Sequence, residues 1–228
     1  MIYVTGDTHG TYDYFKLVVF AHEHPELTKK DYVIVAGDFG GVWDEKTLEE
    51  DLAHFRKLPF TVLFVDGNHE NFDILDNWKR TQWKGGKVHK IREDIIHLCR
   101  GQVFTIEGKK IFTFGGATSV DVAFRREGVS WWPQETPTML DVEAAWENLD
   151  KHDRKVDFII SHSCDEKALF YPPLCNRTTK MYPYFENLLL SGFENNVEYR
   201  HWYFGHYHMD GHLTDKKTVL YHEIYPLE

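Results

Sequence analysis

Five short polar clusters in the sequence combine aspartate, asparagine or histidine with neighbouring small residues, and these side chains could do chemistry together. They are GDTHG at 6–10, GDFGG at 37–41, GNHE at 67–70, SHS at 161–163 and GHYH at 205–208. Carboxylate and amide oxygens and imidazole nitrogens suit divalent metal ions as ligands. The clusters therefore pose the question of whether they form one metal site or five unrelated turns.

Each cluster has an ordinary explanation when it is considered alone. A glycine followed by Asp38 fits an Asx-turn, a lone histidine such as His162 is usually satisfied by hydrogen bonds, and Asn68 is placed to cap a following helix. Asp7 and His9 stand two residues apart, so both face one side if the chain there stays extended. The joint occurrence of the clusters at strand ends favours one shared site over independent turns.

Short apolar runs precede the clusters and predict the strands that would position them. These runs, rich in Val, Ile, Phe and Tyr, lie at about 2–5, 32–36, 60–65, 156–161 and 201–204. Helical patterns lie at about 11–24, 46–57, 71–79, 138–152 and 182–191. This alternation predicts parallel strands with helices packed on the sheets. Because ligands gather beyond the carboxyl ends of such strands, the clusters are expected to meet.

Two segments break the alternation of strands and helices. Residues 87–116 predict consecutive short strands with tight turns, and residues 211–225 predict a closing hairpin. Both styles fit an α/β fold with two mixed β-sheets packed face to face and flanked by helices, which is a four-layer αββα sandwich. We find no repeat or linker, so a single domain over 1–228 is expected.

Composition restricts the functional class and the compartment. A hydrophobic content of 42% indicates a globular chain, and the formal net charge of −10 argues against a basic nucleic-acid groove. The 3 cysteines have no CxxC spacing, which fits a reducing cytoplasm. No apolar run reaches the roughly 18 residues of a membrane span. The start MIYVTGDTHG predicts a strand rather than a signal peptide.

The ordered set G-D-x-H-G, G-D-x-x-G, G-N-H-E, H and G-H-x-H resembles the calcineurin-like metallophosphoesterase superfamily, and it spans residues 6–208. The segment 115–135 resembles a small bacterial and phage branch of that superfamily. The resemblance implies a two-metal centre with Asp7, His9 and His208 on the first ion, Asn68, His162 and His206 on the second, and Asp38 bridging both. Such ligands suit Mn²⁺, Fe, Zn²⁺ or Ni²⁺, and Mn²⁺ is the expectation.

The resemblance also implies a reaction. A phosphomonoester or phosphodiester would be hydrolysed by in-line attack of a hydroxide that bridges the two ions. His69 corresponds to the acid that the family places beside the leaving-group oxygen. Glu70 either supports a neighbouring histidine or is a first-turn acid favoured by the helix dipole. Between a helix cap and a metal ligand, we favour the ligand role for Asn68.

The sequence departs from the serine/threonine protein phosphatases of the superfamily. Their second motif extends to G-D-x-V-D-R-G and an arginine precedes their third, whereas this chain has GDFGGVWD and VDGNHE. The aspartate that orients the catalytic histidine therefore has no match here, and Asp44 and Asp66 are the substitutes to consider. The phosphate-binding arginines of those enzymes are missing as well.

A replacement arginine is predicted within GGATSVDVAFRREGVSWWPQE. Arg125 would clamp phosphate, and Trp131 or Trp132 would form a wall for an aromatic part of the substrate. The alternative is a loop whose aromatic side chains pack on the sheet while its arginines are solvated. Arg177 and Tyr182 are weaker candidates for substrate contacts.

A small phosphorylated molecule or a nucleotide is therefore the expected substrate, without nucleic-acid or membrane partners, and the oligomeric state stays open. The alternatives are a serine/threonine-type protein phosphatase, a nuclease acting on DNA or RNA ends, and a scaffold that kept this fold but lost catalysis. Metal analysis separates enzyme from scaffold, because a two-metal enzyme holds about two ions per chain.

Overall fold

The computed structural model describes residues 1–176 and 182–228. Its elements are, in chain order, β1 (Ile2–Thr5), α1 (Phe15–Glu23), β2 (Tyr32–Ala36), α2 (Leu48–Arg56), β3 (Thr61–Val65), α3 (Phe72–Leu75), β4 (Arg80–Trp83), β5 (Gly86–Arg92), β6 (Ile95–Leu98), β7 (Gln102–Ile106), β8 (Lys109–Phe114), α4 (Met139–Asp150), β9 (Phe158–Ser161), α5 (Phe185–Asn196), β10 (His201–Phe204), β11 (Gly211–Thr214), β12 (Lys217–Val219) and β13 (Ile224–Pro226). Short 3₁₀ turns lie between β8 and α4 and between β9 and α5.

The strands form two mixed sheets. The first has seven strands in the order β13-β1-β2-β3-β6-β5-β4, and the second has six in the order β11-β12-β10-β9-β8-β7. In the first sheet β1, β2, β3 and β6 are parallel. In the second sheet β12, β10, β9 and β8 are parallel. The remaining strands pair antiparallel at the sheet margins, which confirms the predicted two-sheet α/β fold.

Three hydrophobic cores separate four layers. Alternate residues of β2 point to opposite faces, so Val33 and Val35 pack towards α1 and α2 while Ile34 packs towards the second sheet. Phe104 and Ile160 of the second sheet belong to the same central core as Ile34. A third core lies between the second sheet and α4 and α5. Strands covered on both faces explain the nearly continuous apolar runs in the sequence.

Some predicted elements were wrong in extent. The helix predicted over 71–79 covers only Phe72–Leu75, because the chain soon extends into β4, which the sequence did not predict. The tail is a hairpin only from β11 to β12, and β13 then joins β1 in the other sheet. No helix within the described residues is both long and apolar enough to cross a membrane.

Candidate metal centre

The five polar clusters converge, because each follows the carboxyl end of a parallel strand. Asp7 follows β1, Asp38 follows β2 and Asn68 follows β3 in the first sheet. His162 follows β9, and the GHYH cluster follows β10 in the second sheet. The tertiary structure therefore brings together side chains that lie up to about 200 residues apart in sequence.

One half of the centre contains the four residues Asp7, His9, Asp38 and His208, whose ligand atoms all lie within 4.8 Å of one another. His9 Nε2 lies 3.4 Å from Asp38 Oδ2, and His208 Nε2 lies 3.2 Å from Asp7 Oδ2. His208 is about half exposed, and its ring stacks on Tyr221 at a centroid distance of 4.9 Å. This half is open to solvent through His208.

The other half is more deeply buried. His162 Nε2 lies 3.0 Å from Asn68 Oδ1 and 3.3 Å from Asp38 Oδ1. The ring of His206 lies 5.0 Å from the ring of His162, measured between centroids. Asp38 thus directs one carboxylate oxygen to His162 and the other to His9. The structure brings together all seven predicted ligands around this carboxylate.

The two buried carboxylates of the centre favour the binding of cations. Asp7 and Asp38 are 0% and 1% exposed, and within the described chain only histidines form ion-pair contacts with them. Asp7 Oδ2 is buried and, among the described residues, makes no well-formed hydrogen bond, although His208 Nε2 lies 3.2 Å away. A buried carboxylate oxygen is costly unless it is paired, hydrogen-bonded or bound to a metal ion. The donor set and this orphaned oxygen therefore suit divalent metal ions.

The pKa values of the histidines reflect the same negative field. Burial lowers the pKa of His162, but the carboxylates of Asp38 and Asp7 outweigh it and raise the value to about 10. Burial likewise lowers the pKa of His9, and Asp38 reverses the effect to give about 9. Burial dominates at His206 and lowers its pKa to about 3. The two aspartates thus attract positive charge to their immediate neighbours.

The backbone at the centre is not the extended chain that the D-x-H spacing suggested. Strand β1 ends at Thr5, and His9 has a φ of 44°. Positive φ values also occur at Asp38 (47°), His206 (68°) and His208 (48°). Non-glycine residues in this region are strained and cluster at functional sites. Turns after the strands, rather than alternation along them, direct these side chains inwards.

Gly37 shows how closely the clusters approach. Its φ is 94°, and a Cβ at this position would lie 2.0 Å from Nδ1 of His162. Any side chain there would displace the imidazole from Asn68 and Asp38. The glycine before Asp38 is therefore required both by the backbone conformation and by the space that His162 occupies.

Hydrogen bonds orient the predicted ligands. His162 Nδ1 lies 2.9 Å from the carbonyl oxygen of Ala36, and donation there leaves Nε2 facing Asn68 and Asp38. His9 Nδ1 lies 2.8 Å from Asp13 Oδ2 in the same manner. Partners of this kind set the tautomer of histidines that bind metals.

Glu70 has neither of the two roles considered from sequence. It is fully buried, and its carboxylate accepts hydrogen bonds from the backbone N–H groups of Phe39 (2.7 Å) and Gly40 (3.4 Å). Glu70 therefore holds the turn that carries Asp38. Asn68 is not the helix cap, because Asn71 caps α3 by accepting from the N–H of Ile74 at 3.2 Å.

His69 and Arg125 lie against each other at the edge of the centre. Two guanidinium nitrogens of Arg125 are 3.2 and 3.1 Å from the two ring nitrogens of His69. A neutral imidazole has one lone pair, so only one of these contacts can be a hydrogen bond. Burial lowers the pKa of His69, and the charge of Arg125 lowers it as well. Asp38 raises this pKa but does not reverse the shift. Arg125 also pairs with Asp121 at 2.7 Å.

Neither Asp44 nor Asp66, the two aspartates considered for orienting the catalytic histidine, has a hydrogen bond or ion pair with His69 among the described residues. Asp66 pairs with Arg100 (Nε at 2.6 Å) and with His97 (Nε2 at 3.1 Å), while Asp44 is exposed. The prediction that Trp132 forms an aromatic wall for the substrate is wrong. Trp132 is buried and packs on Trp43 in the core beside the first sheet. Arg125 is only 14% exposed and is not a solvated loop arginine.

Two cavities flank the centre, and both are lined by His69 and His208. One has a volume of about 660 Å³, and its aromatic lining consists of Tyr12, Trp43 and Tyr221. Sequence reasoning missed this lining, although Tyr12 and Trp43 follow the first and second clusters closely.

The other cavity has a volume of about 590 Å³ and is lined by Asn68, Arg125, Tyr182 and His206 among others. Tyr182, one of the two weaker candidates for substrate contacts, therefore lines a cavity beside the metal centre. Arg177 lies outside the described residues.

Comparison with known proteins adds a family to this geometry. A sequence model of the calcineurin-like phosphoesterase family matches residues 1–210, which include every predicted ligand. No curated protein matches the chain significantly. Among solved structures, the chain is similar to a protein of unknown function from Aquifex aeolicus (16% identity, 87% of each chain, TM-score 0.40). It is also similar to a phosphopantetheinyl hydrolase from Mycobacterium tuberculosis (17% identity, 96% of this chain and 87% of that chain, TM-score 0.44).

Proposed function

The chain belongs to the calcineurin-like phosphoesterase family, and we propose that it hydrolyses a small phosphomonoester or phosphodiester with two divalent metal ions. Family membership makes it a metal-dependent hydrolase of phosphoester bonds. The finer proposal concerns the number of ions, their ligands and the substrate. Mn²⁺ is the proposed metal among the ions that suit a donor set of imidazole nitrogens with carboxylate and amide oxygens.

The position of Asp38 is the observation that carries this proposal. Its two oxygens lie 3.3 Å from His162 Nε2 and 3.4 Å from His9 Nε2, so one carboxylate serves both halves of the centre. A bridging aspartate suits two ions spaced about 3.5–4 Å apart. The proposed ligands are Asp7, His9 and His208 for one ion, Asn68, His162 and His206 for the other, and Asp38 for both.

When bound, two divalent ions polarise a phosphoryl oxygen and bring the pKa of a bound water towards neutrality. Their charge of +4 exceeds the −2 of the two aspartates, so an acidic protein can attract a phosphate. His69 lies on the wall shared by both cavities, where its ring can donate a hydrogen bond or a proton to the leaving-group oxygen. Arg125, beside it, can exchange its poor contact with the imidazole for a charged phosphate oxygen.

A small substrate fits these surroundings better than a phosphoprotein. The proposed phosphate position lies between two cavities of about 660 and 590 Å³, which can hold small organic groups. Tyr12, Trp43 and Tyr221 provide aromatic surface for a nucleoside or a similar group. We further propose that residues 1–228 form a single domain and that the protein works in the cytoplasm, where its three free cysteines stay reduced.

The bridging role of Asp38 is tested by Asp38→Asn. The amide removes a negative charge from between the two halves, so kcat/KM for Mn²⁺-dependent cleavage of an aryl phosphate should fall at least about 100-fold. The exposed Asp215→Asn is the matched control and should keep wild-type turnover. Undiminished turnover in Asp38→Asn would rule out the bridging assignment.

The role of Arg125 is tested by Arg125→Gln with its neighbour Arg126→Gln as the control, because Arg126 is exposed. Losing a charged hydrogen bond to phosphate costs about 1.5–3 kcal/mol, so kcat/KM should fall about 10- to 100-fold. An equal loss in both variants would instead indicate a general electrostatic effect of the loop.

A further inference from the structure

The amide of Asn68 has two chemically different ends, and only its oxygen can bind a metal ion. Oδ1 lies 3.0 Å from Nε2 of His162, within the proposed second set of ligands. Nδ2 points the other way and donates to Oγ of Ser119 at 3.2 Å. A rotation of the amide by 180° would present the NH₂ group to the ion and abolish this ligand.

Ser119 is buried, and its hydroxyl group has a defined direction. Its Oγ donates to Oε2 of Glu135 at 2.5 Å. A hydroxyl carries one hydrogen, so the bond to Glu135 leaves only lone pairs facing Asn68. Those lone pairs accept from the NH₂ end of Asn68 and repel its oxygen.

Glu135 determines that direction. The residue is fully buried, and its Oε1 accepts from the backbone N–H of Trp132 at 3.2 Å. An ionised carboxylate can only accept hydrogen bonds, so Ser119 must be the donor between the two side chains. Burial raises the pKa of Glu135 to about 7, against the hydrogen bonds from Ser119 and Trp132 that lower it. The group is therefore ionised above neutral pH.

We propose that Ser119 and Glu135 are positioning residues that orient the Asn68 amide with its oxygen towards the second metal ion. This inference rests on the proposed function, because it needs Asn68 to be a ligand. The hydrogen bonds from Asn68 to Ser119 and from Ser119 to Glu135 run in the same donor-to-acceptor direction. The carboxylate of Glu135 sets this direction. Glu135 also joins the start and the end of the loop that carries Arg125, since Ser119 and Trp132 flank that loop.

The experiment measures Mn²⁺ binding by isothermal titration calorimetry at pH 8.5, after chelator treatment of the full chain. Wild type should bind two ions, and Ser119→Ala should weaken the second ion about 10- to 100-fold, the usual range for a residue that orients a ligand. Glu135→Gln should weaken it as well, because a carboxamide can donate to Ser119 and permit the reversed chain. Ser191→Ala is the control, since its Oγ bonds to the backbone of Glu166 and Asn187 and to none of the proposed ligands among the described residues.

Asn68→Asp distinguishes orientation from packing. A carboxylate has two equivalent oxygens, so no flip remains to be prevented, and adding Ser119→Ala should then cost nothing further or improve binding. An equal loss from Ser119→Ala in both backgrounds would overturn the inference, as would wild-type binding by Ser119→Ala. If wild type bound fewer than two ions, the proposed function and the inference would both fail. Two ions and phosphoesterase activity without a Ser119 effect would overturn the inference alone.

Discussion

Two groups of side chains bring histidines and other ligand types within 4.8 Å of one another, yet their polar atoms are satisfied in opposite ways. The first group is Asp7, His9, Asp38 and His208, and the second is His89, His97 and Cys99. In the first, Asp7 Oδ2 is buried and makes no well-formed hydrogen bond within the described part of the chain, although His208 Nε2 lies 3.2 Å away. This oxygen is what a metal ion would satisfy.

The two histidines of the second group lie in a continuous series of hydrogen bonds that runs from Asp66 to Arg80. Asp66 Oδ1 lies 3.1 Å from Nε2 of His97, and Nδ1 of His97 lies 3.1 Å from Nδ1 of His89. Arg80 Nε donates to Nε2 of His89 at 3.3 Å. If His97 donates to Asp66, each contact in the chain has one donor and one acceptor, with both rings neutral. Arg100 then balances the charge of Asp66.

The contrast shows that proximity of ligand types does not by itself make a metal site. Asp7 and Asp66 are buried to the same degree, at 0% and 1% exposure. Asp66 has an arginine partner, and among the described residues Asp7 pairs only with histidines. A buried aspartate that pairs only with histidines among the described residues, rather than with an arginine, distinguishes the candidate metal centre.

The largest effect on stability is expected for Asp66→Asn. Breaking a buried ion pair leaves Arg100 uncompensated, which costs about 3–5 kcal/mol of unfolding free energy. Because this pair stabilises the fold independently of metal, urea unfolding should show the same loss with and without EDTA. A loss below about 1 kcal/mol, or one seen only with Mn²⁺, would contradict the structural role of this pair.

Metal binding is expected to have a smaller effect when each site is considered separately. Mn²⁺ at 100 times its Kd should raise the unfolding free energy of the wild type by about 2.7 kcal/mol per site. Asp7→Asn should lose most of this gain, because the orphaned carboxylate oxygen is gone, whereas Cys99→Ser should keep it. Thermal unfolding of both variants with and without Mn²⁺ makes the comparison. A gain lost in Cys99→Ser would place metal in the second group.

A further difference is a pH dependence that comes from His89, which changes the unfolding free energy by at most about 1.4 kcal/mol per pH unit. Burial, together with the smaller effects of His97 and Arg80, lowers its pKa from 6.5 to about 3. Between these pH values the unfolded chain binds a proton that the folded chain does not. The stability from neutral His89 is therefore complete above about pH 6.5 and is lost progressively as the pH falls towards 3.

One proton corresponds to a slope of at most about 1.4 kcal/mol per pH unit. His89→Gln should remove this part of the slope in urea unfolding between pH 6.5 and pH 4, while the exposed His22→Gln should not. An unchanged slope in His89→Gln would show that another group produces the acid destabilisation.

Local patterns predicted the strands well and the turns poorly. The apolar runs of β1, β2 and β10 match the structure within a residue, because strands covered on both faces need continuous apolar side chains. The helix over 71–79 was overestimated, because its apolar residues also suit a single turn followed by the extended β4. The fold class and the seven converging residues followed from motif order.

The sequence by itself determined the family, the layered fold and the candidate ligands, since these depend on residue types at strand ends and on their order along the chain. Only the tertiary structure decided which partners satisfy each polar group. Glu70, Ser119 and Glu135 contact residues 16 to 51 positions away, and no local pattern encodes such pairs. Hydrogen-bond direction and charge compensation depend on distances of about 3 Å, and folding alone brings these groups that close.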